Sequence, residues 1–320
     1  MSMVTIFLLA IFWLCLAVCL AAKGPKIKDA NAMICAIVKH EERYIDEWLL
    51  YHKFLGFDFA YLYDNANEPS RYLATLNQVY DNFVKVIPLP GPNKQRDAYL
   101  DCLCKFNTTN IWAAFIDVDE FIVLRKHANI KSFLRSVAPK GGGVVLNWSL
   151  FSSNGAIKQE EGQVLSRFTY TTRSLNPHIK TIAYLPHVRI PDVHNSVLLP
   201  HKHTVDVQGR RQKDSVPFMP NNKGNKKIAC INHYHTKSLE EYILKKRRGR
   251  ADIEDGGVQN LTEIVIAFEA HNHGIAQVQD TFARDFYLKH YFGNEYETIF
   301  KKNKENDRKQ DPKWWQWWWG

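Results

Sequence analysis

The first ordered apolar pattern in the chain is Met33-Ile34-Cys35-Ala36-Ile37-Val38, a run short enough to read as a buried strand. Ile45, Trp48, Leu49 and Leu55 then recur at helical spacing and predict a helix over residues 41–55, with Gly56 as its stop. Phe59 to Tyr63 reads as a second strand that ends at Asp64-Asn65. Leu73, Leu76, Val79 and Phe83 mark a second helix, and Val84 to Ile87 a third strand closed by Pro88 and Pro90. Ala98, Tyr99, Cys102, Leu103 and Phe106 mark a third helix, and the apolar run 111–116 is a fourth strand. Strands alternating with helices predict an α/β fold, with a mostly parallel, Rossmann-like central sheet and helices on both faces. Such sheets bind ligands beyond the carboxyl ends of their strands.

Three polar clusters fall at those ends: Lys39-His40-Glu41, Asp64-Asn65 and Asp117-Val118-Asp119, the last followed by Glu120. On an extended chain, residues two apart point the same way. Two carboxylates so placed repel each other and resist desolvation, and a hard divalent cation relieves both costs. The competing reading is an acidic turn satisfied by backbone N–H groups or a lysine.

After residue 140 the pattern loosens. Gly141-Gly142-Gly143 precedes a strand from Val144 to Trp148, and residues 160–230 read as loops with a strand or two. A strand over 228–232 leads into His233-Tyr234-His235. Ser238 with Glu241 three residues on is a capping box that opens another helix. The basic run Lys245 to Arg248 on that helix reads as a solvated face, and His194, His201 and His203 as scattered loop histidines.

The chain has 320 residues, enough for one large domain or two small ones, and a net charge of +9 that permits phosphate-bearing ligands or nucleic acid. No nucleic-acid recognition motif accompanies that charge. Residues 3–22 carry no charge and are long enough to span a bilayer as a signal-anchor, or to serve as a cleaved signal peptide. Lys23, Lys26 and Lys28 follow it, an arrangement that by itself favours a cytoplasmic body. The expected organisation is an N-terminal membrane segment and stem over 1–29, a globular domain over 30–300 divided near residue 125, and a charged, Trp-rich tail over 301–320. The cysteines outside the apolar segment fit no zinc pattern, and Cys102 reads as a buried thiol. Asn107, Asn147 and Asn260 are sequons.

Taken in order, the motifs are Lys39-His40-Glu41-Glu42-Arg43-Tyr44, Glu47-Trp48-Leu49-x-Tyr51-His52-x-x-x-Gly56, Tyr63-Asp64-Asn65, Gln95, Trp112-x-x-Phe115-x-Asp117-x-Asp119-Glu120-Phe121, Trp148-x-x-Phe151 and His233-Tyr234-x-x-Lys237-Ser238-x-Glu240-Glu241-Tyr242. This series resembles glycosyltransferase family 92 and the family-2-like glycosyltransferases of the GT-A fold. The resemblance implies a metal-assisted, inverting transferase. It would move a sugar from a nucleotide sugar, such as UDP-galactose, to a glycan or glycoprotein. It also implies a single-pass membrane protein facing the Golgi or secretory lumen. Asp117 and Asp119 would hold Mn²⁺ or Mg²⁺, with His233 or His235 as a further ligand. Lys39, Glu41, Asp64, Asn65, Gln95, Arg96, Asp117 and Lys237 would frame the nucleotide and its phosphates. Asp192, Glu160 and Glu161 are the candidate general bases. Trp112, Trp148 and Phe151 are candidates for stacking on sugar rings. The alternative is a catalytically silent glycan-binding relative on the same fold.

Overall fold

The computed structural model describes residues 30–212, 224–249 and 260–293. The apolar segment 3–22 and the Trp-rich tail lie outside them. Among the described residues, no helix is long and apolar enough to cross a membrane.

The elements, in chain order, are β1 (Asn31–Val38), α1 (Ile45–Phe54), β2 (Phe59–Asp64), α2 (Arg71–Val79), β3 (Val84–Pro88), α3 (Gln95–Phe106), β4 (Ile111–Phe115), β5 (Glu120–Leu124), α4 (Ile130–Val137) and β6 (Gly143–Leu150). A single turn, α5 (Val164–Arg167), and a short strand, β7 (Tyr170–Thr171), precede β8 (Asn176–Tyr184). Then come β9 (Val188–Ile190), β10 (Val197–Leu198), β11 (Thr204–Val205), β12 (Ala229–His233), α6 (Leu239–Arg247), α7 (Leu261–Asn272) and β13 (Val278–Gln279). The described residues 280–293, which carry α8 (Phe282–Phe292), belong to a second compact unit.

The main sheet runs β3-β2-β1-β4-β8-β6-β12-β5, with β11 beside β6. β1, β2, β3 and β4 are parallel, as the alternation predicts. β8 is antiparallel to both β4 and β6, and β12 is parallel to β6 but antiparallel to β5. β1 is buried on both faces from Ala32 to Val38, which explains why it reads as an unbroken apolar run. Cys102 and Tyr99 of α3 pack with Cys35 and Phe115 in the core beneath the parallel half. Gly56 ends α1 at φ +94°, the conformation its sequence position implies.

Three expectations need correction. The fourth apolar run does not carry the acidic pair: β4 stops at Phe115, and residues 116–119 make a tight turn into β5. The region expected to be loops with a strand or two holds more strands than that, among them β8, a nine-residue strand at the centre of the sheet interrupted by a buried lysine at position 180. Asn147 is 2% exposed and its side chain donates to the Asn176 carbonyl, so burial closes that sequon.

Candidate functional site

The turn 116–119 is closed from both sides. The Glu120 amide donates to the Asp117 carbonyl (3.0 Å), and the Asp117 amide donates to Glu120 Oε2 (2.9 Å). This curl sends the two aspartates to different partners. Asp117 Oδ2 accepts from Lys180 Nζ at 2.8 Å, and Asp117 Oδ1 from Gln95 Nε2 at 3.3 Å. Lys180 is also 3.3 Å from Glu120 Oε2. Burial pushes the Glu120 carboxyl up to about 7, a rise that Lys180 moderates and the Asp117 charge reinforces. Burial alone would discharge Lys180, but Asp117 and Glu120 outweigh it and hold the ammonium above its ordinary range.

Asp119 and Asp117 line one cleft but have different partners. His233, at the end of β12, pairs in register with Glu120, so its ring lands beside the turn. His233 Nε2 is 3.6 Å from Asp119 Oδ1, and the Tyr234 amide donates to the Asp119 carbonyl (2.9 Å). Two residues on, His235 follows to the same side. One ligand atom from each of Asp119, His233 and His235 lies within 4.8 Å of the others. Burial opposes the charge on Asp119, but Lys245 and His233 overcome it and hold the carboxyl well below its usual range. Burial, helped by Lys245, pushes His235 well below the ordinary imidazole value, so its ring is neutral with a lone pair to offer. Nδ1 of His233 is buried and has no hydrogen-bond partner among the described residues. An anionic oxygen and two imidazoles, one of them with an orphaned buried nitrogen, fit a divalent transition-metal ion. Asp117 does not join this trio, because its carboxylate is engaged by Lys180 and Gln95.

These groups border a cleft of about 490 Å³ at the carboxyl ends of β1 and β4. Lys39, Glu41, Gln95 and Asp117 line it. Arg248 closes on Glu41 and donates to the His40 carbonyl at 2.9 Å. Trp148 forms part of the wall: His178 stacks on it at 4.7 Å and 12°, and His233 leans on it at 4.3 Å. Phe151 also lines the cleft, whereas Trp112 packs on Tyr184 and does not.

Other expected residues do not reach the cleft. Asp64 is buried, and its two oxygens cap the amides of Ala66 (3.0 Å) and Ser70 (2.8 Å). Asn65 donates to the carbonyls of Leu89 and Gly91, both at 2.8 Å. Lys237 is buried with its ammonium 4.4 Å above the Tyr44 ring, and burial lowers its basicity. Arg96 is exposed, 3.7 Å from Asp192. Glu161 pairs with Arg43 (3.0 Å), and the Glu160 carbonyl accepts from the same guanidinium (2.9 Å). None of the three candidate bases lines the cleft, although Asp192 directly precedes Val193 and His194, which do.

Lys180 went unnoticed in the sequence reading, and the reading of Lys245 to Arg248 as a solvated face fails at Lys245 and Arg248, which turn onto Asp119 and Glu41. A lone lysine inside the apolar stretch 179–184 is the signal for Lys180. For Lys245 it is helical phase: Glu241 and Tyr242 face inward, and a residue three or four further on shares their side. Glu241 itself does more than cap. It also binds Arg167 through both oxygens, at 2.6 and 3.0 Å, and accepts from the Tyr44 hydroxyl at 2.8 Å. Burial opposes its charge, but Arg167 and Ser238 bring its carboxyl down to about 2.

Family 92 proteins of Oryza sativa subsp. japonica and Ricinus communis are each 23% identical to the chain, over 212 and 227 residues. Those alignments cover 65% and 68% of this chain but only 34% and 38% of the relatives, so the chain spans little more than a third of their length. A solved S. aureus TarS fragment aligns with 88% of this chain and 75% of its own at 11% identity and a TM-score of 0.31. The family profile described as glycosyltransferase family 92 matches residues 34–263, a span that runs from β1 through the Asp119 turn and β12 into α7. That span covers more than two thirds of the chain and takes in Asp119, His233 and His235, and the chain belongs to glycosyltransferase family 92.

Proposed function

We propose that this chain is a metal-dependent glycosyltransferase. On this reading it transfers a hexose from a UDP-sugar such as UDP-galactose to a glycan or glycoprotein, with inversion, from a membrane anchor formed by residues 3–22. The observation that carries the reading is the convergence of Asp119, His233 and His235 at the floor of a basic, aromatic-walled cleft. Mn²⁺ suits this mixed oxygen and nitrogen set better than Mg²⁺, which prefers oxygen and water. When bound there, such an ion supplies Lewis-acid stabilisation of the departing diphosphate. Lys39 and Arg248 bring further positive charge to the cleft wall, the sign that a diphosphate requires. Trp148 offers an apolar ring for a sugar face. Asp117, paired with Lys180 and Gln95, holds the turn from which Asp119 projects.

Titrating UDP into the protein with and without Mn²⁺ tests the proposal. Wild-type protein should bind UDP far more tightly with the metal, and Asp119→Ala should lose that difference and all transfer activity. Metal-independent UDP affinity together with unimpaired turnover in Asp119→Ala would exclude this site.

A further inference from the structure

A positive charge from the chain itself already stands among the proposed metal ligands. Lys245 projects from α6, and its ammonium donates to Asp119 Oδ2. The same nitrogen is 3.3 Å from Nδ1 and 3.3 Å from the carbonyl oxygen of His235. An ammonium has three donors and no acceptor. Here they meet a carboxylate, an imidazole and a carbonyl, the kinds of lone pair that a divalent cation also seeks. Asp119 and His235 are two of the three clustered ligands. Lys245 and a metal ion cannot both hold them, because two cations at contact distance repel strongly. Its side chain is 25% exposed and lies on the cleft wall, so it has room to leave. A four-carbon stem makes the movement easy.

We infer that Lys245 is a displaceable stand-in for the metal: it neutralises Asp119 while the ion is absent and must release that carboxylate before a divalent cation can enter. This rests on the metal-dependent reading above and adds an order of binding to it. Displacing Lys245 weakens the ion's apparent affinity for the free protein. A nucleotide diphosphate offers the released ammonium another anion, so it should strengthen metal binding, and by reciprocity the metal should strengthen nucleotide binding. Ion and nucleotide then enter as a pair, and the protein alone holds the ion weakly.

The test is Mn²⁺ binding to the full chain with and without UDP, followed by the loss of the free-ion electron paramagnetic resonance signal and by calorimetry. UDP should tighten Mn²⁺ binding to the wild type by about tenfold or more. Lys245→Met and Lys245→Gln should bind Mn²⁺ without UDP about tenfold more tightly than wild type, and should gain less when UDP is added. Lys246→Gln removes the neighbouring charge, whose ammonium lies 5.1 Å above the Tyr242 ring. It controls for the general field and should shift affinity by no more than about twofold. Melting curves identify a variant that fails to fold, and the second substitution or the wild-type titration then carries the test. Equal or weaker Mn²⁺ binding in the Lys245 variants, an equal gain in Lys246→Gln, or no UDP effect on the wild type overturns the inference and leaves the metal site standing. No Mn²⁺ binding by any form, with or without UDP, overturns both.

Discussion

Lys180 reaches from the middle of β8 to Asp117 and Glu120 at once, and its side chain is 1% exposed. Removing one partner from a buried ionic group leaves the others uncompensated and typically costs about 3–5 kcal/mol. Lys180→Met should therefore lower the unfolding free energy by roughly that amount, measured by urea denaturation. Glu120→Gln added to it should recover part of the loss, because one of the stranded carboxylates is then gone. The acidic pair itself was visible in the sequence, since the break from Phe115-Ile116 to Asp117 is local. Its geometry was not. Assuming an extended chain gave the two carboxylates one direction, whereas the turn gives them different partners. Those partners, Lys180 and Lys245, lie 63 and 126 residues away, and no local spacing encodes them. Asp64 shows the same limit. Its place at a strand end was legible, but its choice of the Ala66 and Ser70 amides over a ligand was not.

Helix α1 is fastened to β5 through a neutral histidine. His52 Nδ1 donates to the Trp48 carbonyl (2.8 Å), which leaves Nε2 to accept the Ile122 amide (3.3 Å). Burial lowers the His52 pKa to about 3 from an ordinary 6.5. The unfolded chain takes up this proton below pH 6.5, and the folded chain resists until about pH 3. The stability His52 contributes is thus present above that window and is lost as pH falls through it, by up to about 1.4 kcal/mol per pH unit. Glu47 and Glu120 act in the opposite sense. Burial raises both to about 7, so their contribution is lost as pH rises from 4.5 through 7. Comparing the pH dependence of unfolding in wild type and His52→Gln cancels the glutamates. The variant should lack the acid-side loss, and parallel curves would contradict the assignment. Elements with local signals were readable, notably the Ser238–Glu241 capping box and the Gly56 stop. Helix α4 was missed, although Asn129 and Ser132 cap it in the same reciprocal way. The antiparallel insertion of β8 was hidden because it is set by pairing with β4 and β6 and leaves no period of its own.

Over the whole molecule, 42 basic residues against 33 acidic ones invite a nucleic-acid reading. Yet Arg167, Lys180, Lys245 and Arg248 each turn inward onto a carboxylate at or beneath the cleft. Duplex DNA should accordingly show no measurable binding at roughly 0.15 M salt, while UDP binding with Mn²⁺ persists; fluorescence anisotropy of a labelled duplex checks the first. The sheet order carries a different consequence. β12 slots between β6 and β5, and only then does His233 meet Asp119. A nascent polypeptide leaving the ribosome therefore completes its parallel half, acidic turn included, while two of the three clustered side chains are still untranslated. A product aborted before His233 carries only one of those three groups, so activity of the proposed kind would wait until His233 and His235 have both been added.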